Sequence, residues 1–341
     1  MCEFARQSRM SCTFYLIAQA YVGFKRRMAR HRTRTQAMTT RIPGIHHVTA
    51  ISGPAQANVA FYTGPLKQRL VKKTVNFDDP GTYHLYYADP KGSPGTVLTF
   101  FPFADAGPGQ AGPGMASAYA YAVPAAGFDA LIADLKSVAL EVSPPSLRFG
   151  ERVVTVKDPD DAPVELIESA TATDMHGFHS VTLWEREPDK TARILTDVFG
   201  YEAVGSEKLN GVDRLRLKAP GAERGNIIDI IRTDAVVRGR PGKGTIHHVA
   251  FRARTQDEQH GWQEALARVG HRTTDVIDRQ YFNAIYFREP GGVLFEIATD
   301  PPGFAVDEPE ATMGTKLMLP PQYEPIRTRI EQVLPKLTVA L

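Results

Sequence analysis

Four times along the chain, at intervals of roughly 60–70 residues, a short strand rich in β-branched and aromatic residues opens a segment that then reads helix, strand, strand, strand. The opening strands lie at 45–51, 118–123, 178–183 and 246–252. A βαβββ unit of this size has one apolar sheet face that it cannot bury alone, so the copies must pair. The expectation is an α+β fold in which four βαβββ modules pair into curved mixed sheets. Residues 42–170 would form an N-terminal domain of two modules and 171–305 a C-terminal domain of two more. The Gly/Pro-rich stretch 107–114 connects copies one and two, and 238–244 connects copies three and four. A tail, 306–341, is Pro-rich and then helical from about 324 to 337. It either covers one end of a cavity or packs outside.

Two of the opening strands carry a histidine pair, Gly44-Ile45-His46-His47-Val48-Thr49 and Gly244-Thr245-Ile246-His247-His248-Val249. Four of the ten histidines sit here. Side chains alternate along a strand, so one histidine of each pair is expected to face a given cavity. A single pair would read as hydrogen-bonded sheet histidines. Two pairs at matching places in a repeat point to a divided metal site, because histidine is the commonest metal ligand. The last strand of copy four, Val293-Leu294-Phe295-Glu296-Ile297, places an acid in an apolar run. Such burial is costly unless something compensates it. If the first and last strands of a copy come together, His248 and Glu296 share a face and His47 joins from the facing copy. Two histidines and one carboxylate leave coordination positions open, as in non-haem Fe(II) oxygen chemistry, and the same set could hold Zn²⁺. Copy one has no acid at the matching place, taken as Phe100. His179, Asp229 and Glu165 occupy comparable places in the inner copies and form a rival site. The expected pairing sets copies one and four against each other across the metal.

Composition narrows the function classes. Cys2 and Cys12 are the only cysteines, so neither a disulfide framework nor a Cys-ligated zinc site is available to the body of the fold. A cytoplasmic, reducing compartment fits. Residues 1–41 carry nine Lys/Arg and one acid, against thirty-one basic and thirty-seven acidic residues in the remainder. The first forty-one residues read as a basic, disordered extension, either a targeting arm or the product of an upstream start with Met38 as the natural beginning. A chain starting at Met38 is therefore expected to fold and to keep its metal. The mildly acidic body gives no support for nucleic-acid binding, and no apolar run is long enough to suggest a membrane span. The oligomeric state is not fixed by the sequence, and a homo-oligomer stays open.

The order and spacing of these motifs, with Tyr83-His84-Leu85-Tyr86-Tyr87, Gly95-Thr96-Val97-Leu98-Thr99-Phe100-Phe101-Pro102, Arg279-Gln280-Tyr281-Phe282 and Pro290-Gly291-Gly292-Val293-Leu294-Phe295-Glu296, resemble the hydroquinone ring-cleaving dioxygenases of the vicinal oxygen chelate (glyoxalase/bleomycin-resistance/extradiol dioxygenase) superfamily over about residues 42–320. The resemblance implies Fe(II), with Mn(II) as the alternative, held by His47, His248 and Glu296. It implies substrate-contacting or supporting roles for His46, Thr49, His247, Arg279 and Tyr286. The partners would be a small aromatic substrate and O₂, and the ring, hydroquinone-type or catechol-type, would open with both oxygen atoms incorporated. The competing classes are a metal-dependent lyase or isomerase of the glyoxalase type and a non-catalytic protein that sequesters an aromatic or a drug.

Overall fold

In the computed structural model, which describes residues 41–339, each copy runs through one opening strand and three more. Copy one has β1 (Ile45–Ser52), β2 (Arg69–Asn76), β3 (Asp79–Ala88) and β4 (Val97–Pro102). Copy two has β5 (Met115–Pro124), β6 (Ser146–Arg148), β7 (Glu151–Lys157) and β8 (Pro163–Ser169). Copy three has β9 (Phe178–Trp184), β10 (Glu202–Leu209), β11 (Val212–Lys218) and β12 (Ile227–Thr233). Copy four has β13 (Thr245–Ala253), β14 (Ile277–Asp278), β15 (Phe282–Arg288) and β16 (Leu294–Pro302). A helix follows each opening strand: Ala55–Thr63, Phe128–Ser137, Pro188–Arg193 and Gln256–Arg268. The basic extension lies outside the described residues, apart from Arg41. No helix among those described is long and apolar enough to cross a membrane.

The strands form two mixed eight-stranded sheets, in the order β14-β15-β16-β13-β1-β4-β3-β2 and β10-β11-β12-β9-β5-β8-β7-β6. Copies one and four build the first sheet, and copies two and three the second. Within a copy the first and last strands run parallel side by side (β1 with β4, β13 with β16), while β1 and β13 meet antiparallel at the sheet centre. This topology brings the two histidine pairs, 201 residues apart, onto adjacent strands.

Alternation then separates chemistry from packing. On β13, β15 and β16 one face carries His248, Tyr286 and Glu296, while the other carries Phe251, Phe287 and Phe295. Phe251 and Phe287 are buried against Phe199 and, through it, Trp262 of the helix Gln256–Arg268, and Phe295 packs on both. Each such ring contributes about 1.5–3 kcal/mol by burial. That helix is capped by Thr255, whose side chain accepts from the Glu258 amide. Two glycines set the entry to the histidine strands. Gly44 and Gly244 have φ of +91° and +84°, and a Cβ on Gly244 would lie 2.3 Å from the Asp160 carbonyl oxygen.

The tail runs along β2, the edge of the first sheet. Leu317 bridges to Lys73, the Met318 amide donates to the Lys73 carbonyl, and Tyr323 Oη donates to the Phe77 carbonyl. These contacts cover the middle of that edge at Lys73. The tail's helix is shorter than expected, Arg327–Val333.

Candidate metal centre

The β1/β13 ladder holds two register shifts. Ile45 pairs with Phe251 and His47 with Ala250, leaving His46 as the extra residue. Thr49 pairs with His248 and Ala50 with Ile246, leaving His247 as the extra residue on the other strand. A bulge suspends strict alternation and re-aims side chains. The expectation that the two histidines of a pair would part to opposite faces is therefore corrected: they stay together. His46 Nδ1 lies 2.9 Å from His47 Nδ1, and His247 Nδ1 lies 2.7 Å from His248 Nδ1.

The remaining ring nitrogens converge. His47 Nε2 and His248 Nε2 are 3.2 Å apart, and Glu296 Oε2 lies 3.4 Å from the first and 2.9 Å from the second. Donors about 2.1 Å from one first-row divalent ion, set near right angles, stand about 3 Å from each other, so the three atoms fit such an ion. This is the one group of three or more His, Cys, Asp or Glu among the described residues with that convergence. Glu296 is fully buried, and among the described residues neither carboxylate oxygen has a hydrogen-bond partner despite the nearby imidazoles. Burial alone would raise its pKa, but the charges of His47 and His248 overcome this and hold it well below the usual range.

The outer histidines suit a supporting role. Burial first, then His47, pushes His46 well below the ordinary histidine value. His247, at an exposed edge of the site, is pushed down to about 4 by desolvation and then by His248. Neutral imidazoles can accept, so each can receive an Nδ1 hydrogen from His47 or His248, the arrangement that would leave the Nε2 lone pairs of that pair free for a metal. Burial likewise lowers His248, and an unprotonated imidazole is the form that ligates.

Around this triad the same sheet face carries the other expected residues. Thr49 Oγ1 lies 2.9 Å from Thr99 Oγ1. The Tyr286 ring stands 5.8 Å from that of His248, and Tyr286 pairs across the ladder with Glu296. Burial, then the Glu296 charge, raises the Tyr286 pKa, so its phenol stays protonated. Arg279 Nε donates to Tyr286 Oη at 3.4 Å, and its Nη1 pairs with Asp78 at 3.2 Å.

Several neighbours escaped the sequence reading. His84 bridges Thr99 Oγ1 (2.8 Å, through Nε2) and Tyr86 Oη (2.8 Å, through Nδ1). It is held well below its ordinary pKa by burial, then by His47 and His248. The Phe282 ring packs 4.9 Å from that of His47, and Phe101 lies 5.8 Å from His247. In-phase alternation of His84 with Tyr86 was the available signal. The place matching Glu296 in copy one is also corrected. Thr49 registers with Thr99, just as Ala250 registers with Glu296, so the match is Thr99 and not Phe100.

The second sheet repeats the architecture without the triad. The extra residues of its central ladder are Ser117 and His179, so Ser117 matches His46 and His179 matches His247, while Ala118 and Ser180 stand at the places of His47 and His248. Glu165 and Asp229 do match Glu296 in register. Both are paired with arginine: Arg148 reaches Glu165 at 2.6 and 2.7 Å, Arg216 reaches Asp229 at 2.8 and 3.0 Å, and Arg214 adds a 3.0 Å contact. His179 instead contacts Ser180 Oγ and Glu151.

The family model described as Glyoxalase/Bleomycin resistance protein/Dioxygenase superfamily matches residues 177–297. A Bacillus subtilis (strain 168) protein named "Putative ring-cleaving dioxygenase MhqO" is 46% identical over 310 residues, covering 87% of this chain and 97% of the relative. The chain belongs to the ring-cleaving dioxygenases of this superfamily. The "Chlorohydroquinone/hydroquinone 1,2-dioxygenase" of Sphingobium indicum is 31% identical over 310 residues, covering 85% of this dioxygenase and 95% of the relative. A crystal structure of a "putative dioxygenase" from Bacillus subtilis superposes with a TM-score of 0.83 at 45% identity, covering 89% of this chain and 99% of that one. Maize glyoxalase I, at 15% identity and a TM-score of 0.59 over 75% of this chain and 92% of its own, shares the fold alone.

Proposed function

We propose that this dioxygenase holds Fe(II), with Mn(II) as the alternative metal, through His47, His248 and Glu296 and opens a hydroquinone-type or catechol-type ring with O₂. One observation carries the metal centre. Where Glu165 and Asp229 have arginine partners, Glu296 at the same register position has two imidazoles and no arginine or lysine within ion-pair reach among the described residues. A buried carboxylate left so is costly, and a divalent cation compensates it. The hydroquinone preference is supported by the relative of that name.

Fe(II), when bound, supplies a redox-active centre at which an electron-rich ring and O₂ can exchange charge. The chain's own residues do the rest. His46 and His247 fix the tautomers of the ligand imidazoles. Arg279, always cationic, offsets the charge of a phenolate, and the protonated Tyr286 beside it can donate a hydrogen bond to the same oxygen. Phe101 and Phe282 exclude water from the neighbourhood of the histidines, which strengthens these interactions.

The test is anaerobic iron loading followed by a panel of hydroquinones and catechols, with O₂ uptake and ring-opened product measured together. The expected ratio of the two is unity. Turnover without oxygen would sink ring cleavage and favour the glyoxalase-type reaction, and a protein that binds aromatics with no turnover would favour the sequestering role. In the same assay Arg279→Ala should retain its iron while KM rises about ten- to a hundredfold, the loss of one charge-assisted hydrogen bond. Loss of iron from that variant would place Arg279 in the metal centre.

A further inference from the structure

The chain beyond β16 returns to the loop that carries Arg279. Asp307 collects three donors there: Lys72 Nζ at 2.5 Å on one oxygen, and Gln280 Nε2 at 2.8 Å and Tyr281 Oη at 3.0 Å on the other. The Tyr281 ring stacks on Phe304 at 5.2 Å, and the Gly303 amide donates to the Tyr281 carbonyl. We propose that Asp307 is a positioning residue for the reaction proposed above: its carboxylate holds the loop at residues 279–282 in the shape that sets Arg279 and Phe282 beside the metal triad.

The loop needs holding. Gln280 is a non-glycine residue at φ +64°. Such a backbone persists only where its surroundings over-determine it. Local bonds account for part: the Gln280 amide donates to Asp278 Oδ1, and the Tyr281 amide to the Arg279 carbonyl. These shape the turn but do not fix its place over the sheet. Asp307 supplies that anchor, because it joins the side chains of Gln280 and Tyr281 to Lys72 of β2, whose own side chain is fully buried. The residues on either side of the anchored pair are the ones that matter to the centre. Arg279 reaches Tyr286, whose ring stands 5.8 Å from that of His248. Phe282 lies against both His46 and His47. Asp307 touches none of the triad, so it acts through the loop. Glu308 also pairs with Lys72, at 2.6 Å, so neutralising Asp307 leaves that buried ammonium with a partner.

The experiment compares Asp307→Asn with wild type in two arms. In the metal-free protein, hydrogen exchange should quicken about tenfold or more at the amides of 279–281, the cost of a lost charge-assisted anchor, with β1 and β13 unchanged. In the iron-loaded protein, KM for the phenolic substrate should rise about tenfold with kcat within about twofold and iron content unchanged. Tyr281→Phe, which removes one donor, should move both readouts the same way by less. Unaltered exchange at 279–281, or a loss of protection spread across β1 and β13, would overturn the proposal. If Asp307→Asn does not fold, Tyr281→Phe and Gln280→Ala decide by the same criteria. Absence of O₂ uptake by the wild type would remove the ring-cleavage reading while leaving the exchange arm to judge the anchor.

Discussion

Glu296→Gln is expected to lose iron and turnover together, while the metal-free protein stays folded. The substitution keeps the side chain's shape and removes one negative charge. Ligands of a divalent ion must be charged or deprotonated to bind tightly. Loss of supporting residues alone costs about 10–100-fold in metal affinity, so removing a ligand's charge should cost more than about 100-fold. The metal-free protein should stay folded, because the amide keeps the shape of the buried side chain. Glu296 has both oxygens without hydrogen-bond partners and no side-chain exposure. An amide in that place forfeits no ion pair with arginine or lysine among the described residues, and gives up only the contacts with His47 and His248 that hold the carboxylate ionised. Iron content, O₂ uptake and melting of loaded and metal-free protein check this. His47→Ala and His248→Ala should fall in the same class for iron. Full iron content in Glu296→Gln would take the carboxylate out of the metal site, and a sharply destabilised metal-free protein would make it a structural acid instead.

The repeat, the pairing of copy one with copy four and the convergence of His47, His248 and Glu296 were legible because they depend on periods and on one face of a sheet. What was not legible depended on register. Thr99 was displaced by Phe100 because a one-residue slip exchanges the two faces of a strand. The company of His46 with His47 and of His247 with His248 rests on two bulges, which no alternation pattern announces. His84 was passed over because it is a lone histidine among tyrosines, and only the Thr49–Thr99–His84–Tyr86 chain of hydrogen bonds shows its place. β6, three residues long, offers no period to read. Asp307 looked like one more acid in a Pro-rich tail, and its partners lie 235, 27 and 26 residues away.

The rival inner site also shows why acids in strands need not mean metal. Arg216 is 4% exposed and lies between Asp229 and Glu151, with its guanidinium 4.2 Å from the centre of the Phe149 ring. Asp229 is fully buried. Arg216→Ala leaves it with Arg214 alone and is expected to destabilise the protein by about 1–3 kcal/mol, less than the ~3–5 kcal/mol of orphaning a buried charge outright, because one partner remains. Replacing both partners, Arg216→Met with Asp229→Asn, should recover much of that loss, because the cost lies in the unpaired charge. His179→Ala should be milder, since its contacts are to Ser180 and to Glu151, which keeps Arg216. Through all three variants the iron content of the folded fraction should stay at the wild-type level. The inner sheet has Ala118 and Ser180 at the places of His47 and His248, and the arginines already neutralise its acids. Urea unfolding midpoints and metal analysis of the refolded protein measure the two quantities separately. A fall in iron content without a fall in stability would mean that the inner face takes part in holding the metal after all.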